Sequence, residues 1–117
     1  MYGVTGLSFA GCSYGLLVGR EGCDITKAEF PIAGLDPRLN GFTIGLISDI
    51  HSSLFMTRPE MDQYVDAVMN LHADMIVVPG DFVNSQTDEV YPFAESFHRL
   101  QAPQGVFGVM GNHDFYV

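Results

Sequence analysis

Three short stretches of this chain carry the residue types of a cation site. Asp49-Ile50-His51 follows one apolar run, Gly80-Asp81 a second, and Gly111-Asn112-His113-Asp114 a third. Carboxylate oxygens, imidazole nitrogens and an amide oxygen suit a divalent transition metal. In an extended chain residues i and i+2 point to the same side, so Asp49 and His51 are expected to project together. Asp81 follows a glycine, which lets backbone and carboxylate approach closely. A carboxylate so placed can offer one oxygen to each of two metals, and Asn112 offers a neutral oxygen to the second. Taken singly, an Asp after a strand is usually a turn or cap residue. The weight lies in three clusters in order, roughly thirty residues apart, which is about one βα unit each.

The elements that must position these residues are readable. Residues 42–47, 74–79 and 106–110 are short apolar runs, each ending in ligand-type residues, and read as buried strands. Thr57-Arg58-Pro59-Glu60 is a capping box with proline in the first turn. Met61, Tyr64, Val65, Val68, Met69 and His72 follow it at helical spacing. A second helix is expected over 91–100, with the stripe Phe93, Phe97 and Leu100. The order is βαβαβ, for which a parallel α/β sheet with right-handed crossovers is the default. In such sheets ligands bind at the carboxyl ends of the strands. Neighbouring tips about 4.8 Å apart can serve two ions about 3.5–4 Å apart. Upstream, residues 23–32 alternate in polarity and predict an edge strand, with Pro31 favouring the edge. Residues 34–41 form a turn-rich connector.

At 117 residues the chain holds one domain at most, and with 47% hydrophobic residues it can build a core. Its net charge of −9 argues against a nucleic-acid footprint. Two cysteines, Cys12 and Cys23, are too few for a disulfide framework or a zinc ribbon. Residues 1–19 carry no charged side chain and place Gly11, Gly15 and Gly19 four apart, a pattern of packed membrane helices. This segment reads as a membrane anchor or export-signal remnant, with a glycine-rich lead-in as the competing reading. Residues 20–117 form the domain. His72 and His98 fall on helix faces and read as surface residues; Met56, Met61, Met69 and Met75 read as packing residues.

The three motifs, in this order, resemble those of the calcineurin-like metallophosphoesterases. The run from Phe42 to His51, after a Gly-Leu-x-Pro connector, is similar to the bacterial membrane-anchored or exported branch of that family. The resemblance covers about residues 23–117 and implies the βαβαβ half of a metallophosphoesterase sandwich, mostly parallel, with an N-terminal edge strand. It implies two divalent ions (Mn, Fe or Zn), with Asp49 and His51 on the first, Asp81 bridging both and Asn112 on the second. It implies His113 beside the leaving group, Asp114 orienting the His113 ring, and a water activated between the ions as nucleophile. The expected substrate is a phosphomonoester, phosphodiester or pyrophosphate, small or lipid-linked, and the expected location is the membrane or cell envelope, otherwise the cytoplasm. Two departures stand out. Asn84 occupies a position that is often acidic in the family, outside the metal shell. The family's later histidines, including a Gly-His-x-His motif, are absent, so the sequence reads as a fragment holding about half the site and inactive alone. Two rival readings remain: a degenerate or truncated domain binding a metal or partner without catalysis, and another α/β phosphohydrolase or nuclease with Asp49 as direct nucleophile.

Overall fold

The computed structural model describes residues 23–117. The anchor expected at residues 1–19, and Cys12, lie outside the described residues. Three strands, β1 (Ile44–Leu46), β2 (Met75–Pro79) and β3 (Val106–Val109), alternate with two helices, α1 (Arg58–Asn70) and α2 (Val90–Phe97). The strands pair in parallel in the order β1-β2-β3, with Leu46 opposite Val77 and Val77 opposite Phe107. The expected α/β alternation and parallel sheet are what the chain forms. Because all three strands run the same way, their three C-terminal loops meet at one end of the sheet.

The helices form where capping and periodicity agree. The Thr57 N–H donates to Glu60 Oε2 at 3.1 Å, and proline occupies the first turn, where a backbone donor is not needed. The buried residues of α1 are Met61, Val65 and Val68, spaced to share one face. α2 stops at Phe97, earlier than the expected 100, and Leu100 still packs into the core from the following turn. Met61, Val65 and Val68 meet Ile50, Ile76, Val78, Phe97 and Leu100 in that core. Gly45 makes the packing possible. A Cβ there would lie 2.7 Å from Val68 Cγ2, so only glycine lets α1 sit this near β1.

The core covers one face of the sheet. On the other, Ile44 is 57% exposed, Leu46 61%, Phe107 54% and Val109 65%. Parallel sheets are normally covered on both faces, so this apolar face is physically unfinished within the described residues.

One expectation fails. Residues 23–32 form no strand and are exposed throughout. Alternation specifies a strand only where a face is buried and a neighbour supplies backbone partners. Here no strand of the sheet pairs with the segment, and Pro31 withholds a donor.

Candidate metal centre

The chain turns sharply as it leaves the strands. β2 ends at Pro79 and runs directly into Gly80 at φ +70° and Asp81 at φ +52°. Asp49 and His51 are also left-handed, at φ +54° and +47°. Such backbone costs a non-glycine residue roughly 1–2 kcal/mol and tends to gather at functional sites. Pairing between the loops offsets it. The His51 N–H donates to the Asp81 carbonyl at 2.9 Å, and the Ser52 N–H to the Phe82 carbonyl at 2.9 Å. Ser52 and Val83 then make an isolated parallel bridge. The loops after β1 and β2 thus resume the ladder that the strands ended.

Asp114 fastens the third loop to the second. Its Oδ1 accepts the N–H groups of Phe82 at 2.8 Å and Val83 at 3.1 Å, and its Oδ2 accepts that of Gly111 at 2.8 Å. Asp81 Oδ1 accepts the His113 N–H at 3.0 Å. Two glycines permit this backbone contact. A Cβ on Gly80 would lie 2.7 Å from Gly111 Cα, and one on Gly111 would lie 2.3 Å from Asp81 Oδ1.

These loops converge His51, Asp81 and His113, whose ligand atoms all lie within 4.8 Å of one another. His51 Nε2 is 3.8 Å from Asp81 Oδ2. The two imidazoles meet edge to face, with centroids 4.6 Å apart and planes at 88°. A divalent ion bonded at about 2.0–2.2 Å holds its donors closer than this, so these side chains would draw in to share one. His51 Nδ1 is buried and has no hydrogen-bond partner among the described residues. An imidazole whose Nε2 faces a carboxylate, beside a second imidazole, fits a transition-metal donor set.

The family model for calcineurin-like phosphoesterases matches residues 42–117. The chain belongs to the calcineurin-like phosphoesterase family. It is 31% identical over 103 residues, 88% of its length, to a transmembrane protein with metallophosphoesterase domain from Danio rerio, covering 24% of that protein. It is 32% identical over 102 residues, 87% of its length, to the Bos taurus protein of the same name, covering 23% of it. It is 27% identical over 92 residues, 78% of its length, to a UDP-2,3-diacylglucosamine pyrophosphatase of Chlamydia muridarum, covering 28% of that protein. The chain therefore spans about a quarter of the length of these relatives. No solved structure matches it. Among the described residues no helix is long and apolar enough to cross a membrane.

The residues expected to serve a calcineurin-like phosphoesterase site are only partly brought together. His51 and Asp81 converge, and His113, expected beside the leaving group, joins them. Asp49 is exposed and stands outside that group. The i and i+2 argument assumed extended chain, whereas β1 stops at Leu46 and residues 49 and 51 are both left-handed. Asn112 is exposed and opens the 3-10 turn His113–Phe115. Asp114 does not hold the His113 ring: the three N–H bonds engage both its oxygens, and His113 Nδ1 instead meets the Asn84 carbonyl at 2.8 Å. A carbonyl only accepts, so Nδ1 carries the proton. The departure at Asn84 thus matters through its backbone. His72 and His98 are exposed, as expected.

Sequence reasoning missed Glu89. Its Oε2 accepts the N–H groups of Asn84 at 2.9 Å, Ser85 at 2.8 Å and Gln86 at 3.0 Å. Burial pushes the Glu89 carboxyl up, but the N–H groups of Ser85, Gln86 and Asn84 outweigh it and hold the group below its ordinary value. The available signal was Gln86 three residues before Glu89, ahead of α2, in the spacing of a capping box.

Proposed function

We propose that this chain supplies part of a dinuclear metal centre that hydrolyses phosphoester or pyrophosphate bonds. The observation that carries the proposal is the meeting of His51, Asp81 and His113 at the tips of three adjacent parallel strands, with His51 Nε2 facing the Asp81 carboxylate. His51 and Asp49 would hold the first ion, with Asp49 assigned by its motif alone. Asp81 would serve both ions and Asn112 the second. The central place of Asp81, one oxygen on the His113 N–H and the other facing His51, supports the shared role. Manganese, iron and zinc all suit this donor set. Bound there, the ions would activate water for attack and neutralise charge on the phosphoryl oxygens.

The chain's own residues do the rest. With Nδ1–H held by the Asn84 carbonyl, the Nε2 side of His113 would be left to face the leaving oxygen, to which it can give a proton only when the ring is the imidazolium. Asp114 holds the three backbone donors that keep the loops in register, so its catalytic part is indirect. We further propose that other segments of the protein cover the exposed sheet face and supply the remaining ligands. The quarter-length match to the relatives supports this. The pyrophosphatase name of one relative supports a diphosphate substrate, lipid-linked among the candidates. The transmembrane names of two others, with the charge-free residues 1–19, support membrane association.

The test is hydrolysis of a generic aryl phosphodiester by the intact protein with added Mn²⁺, Fe²⁺ or Zn²⁺. The expected result is metal-dependent turnover, lost on chelation and in His51→Ala. Metal binding without turnover on any phosphoester or pyrophosphate would favour the non-catalytic binding domain instead.

A further inference from the structure

Glu89 lies outside the converging group and belongs to none of the three motifs, yet it touches the supports of both histidines. Its carboxylate gathers three consecutive N–H groups, at residues 84, 85 and 86, onto one oxygen. The Asn84 carbonyl in that loop is the acceptor for His113 Nδ1–H. At its other end, the Glu89 main-chain carbonyl accepts the Ser52 hydroxyl at 2.8 Å. Ser52 is fully buried and directly follows His51, and its own carbonyl accepts the Asn84 N–H at 3.2 Å. A single residue therefore braces the loop behind one imidazole with its side chain and the residue beside the other with its backbone.

We infer that Glu89 is a positioning residue that fixes the tautomer and orientation of the His113 ring through the 84–86 loop, an inference that rests on the phosphoesterase reading only for its kinetic consequence. An ionised carboxylate suits the task, because charge-assisted hydrogen bonds are roughly twice as strong as neutral ones. Without it, the Ser85 and Gln86 N–H groups turn toward water and the Asn84 N–H keeps only the Ser52 carbonyl. The Asn84 carbonyl then leaves its place, and His113 exchanges its ring proton between Nδ1 and Nε2. Groups that orient a site residue from behind typically change activity by about 10–100-fold when removed.

The test compares the intact wild-type protein with Glu89→Ala and Glu89→Gln. Side-chain ¹H–¹⁵N spectra of the metal-free protein at neutral pH report the histidine tautomers. Wild type is expected to show His113 as the Nδ1–H form and Glu89→Ala a mixture of both forms. In Mn²⁺-dependent hydrolysis of an aryl phosphodiester, kcat of Glu89→Ala is expected to fall about 10–100-fold with KM little changed. Glu89→Gln keeps a neutral acceptor and is expected to lie between the two in both measurements. A folded Glu89→Ala with the wild-type tautomer overturns the inference. Should Glu89→Ala fail to fold, a Glu89→Gln protein indistinguishable from wild type overturns it. Absence of hydrolysis in wild type would defeat the phosphoesterase reading, while the tautomer spectra would still judge Glu89.

Discussion

Asp81 and Asp114 stand at neighbouring strand tips, and their hydrogen bonds separate their roles. Asp81 accepts one N–H and faces His51, so its charge is free to serve a cation. Asp114 is buried and accepts three N–H groups across two loops with both oxygens. Asn tolerates the left-handed backbone of residue 81 and keeps an acceptor for the His113 N–H. Asp81→Asn is therefore expected to lose metal, measured by calorimetric titration with Mn²⁺, while its denaturant midpoint stays near wild type. At residue 114 an amide would point its NH₂ at a backbone donor. Leaving a buried donor unsatisfied costs about 1–3 kcal/mol, so Asp114→Asn is expected to lose about 2 kcal/mol of stability. The reverse pattern, with residue 114 governing metal affinity and residue 81 governing stability, would contradict these roles.

At the scale of elements, the site depends on how near α1 lies to the sheet. The contact of Gly45 with Val68 sets that distance, and both residues are buried. Val68 is β-branched, with little χ1 freedom in a helix, so it cannot swing aside cheaply. Gly45→Ala therefore forces a small shift of α1. Overpacking of this kind costs about 1–3 kcal/mol, against a gain of about 0.4–1 kcal/mol from a stiffer unfolded chain. The expected net loss is about 1–2 kcal/mol in urea unfolding, and an unchanged or raised midpoint would show that α1 has slack. Beyond the strands, the bonds from His51 to Asp81 and from Ser52 to Phe82 keep the loops parallel, so a shift in β1 would reach the histidine it carries.

At the scale of the whole molecule, two carboxylates make the fold sensitive to acid, Asp74 by tying distant segments together and Glu89 by holding the loop just before it. Asp74 Oδ2 accepts the Thr43 N–H at 2.7 Å and the Thr43 hydroxyl at 2.8 Å, joining the start of β1 to the start of β2. Those bonds hold the Asp74 carboxyl below its ordinary 3.8, and the 84–86 amides hold Glu89 below its ordinary 4.5. Both groups take up protons more readily unfolded than folded. Their stabilisation is complete above the unfolded values and is lost as pH falls through the folded ones. The net charge of −9 works in the opposite sense, because acid relieves its repulsion. At about 0.15 M salt the screening length is about 8 Å, so the two local anchors should dominate. The expected result is a urea midpoint that falls progressively below about pH 4.5, with a shallower fall in Glu89→Gln. A midpoint that rises on acidification would show that charge repulsion governs instead.

The sequence by itself determined the order of elements and the three motifs, because both are local properties. Thr57 and Glu60 announce α1, and apolar runs ending in Asp49, Asp81 and Asn112 announce strands and their tips. It also placed His72 and His98 on the surface. Only the tertiary structure decided which donors converge. The left-handed turns at Asp49 and His51 break the extended spacing that paired them, and His113 enters the group because Asp81 receives its N–H. The edge strand at 23–32 misled because strand pairing needs a neighbour that sequence alternation does not supply. Asp114 holds backbone donors as far as 32 residues away and the Asn84 carbonyl meets a ring nitrogen 29 residues on, whereas Glu89 holds an amide 5 residues back. The contacts of Asp114 and Asn84 leave no periodic trace in a sequence; they exist only once parallel strands have brought their loops side by side.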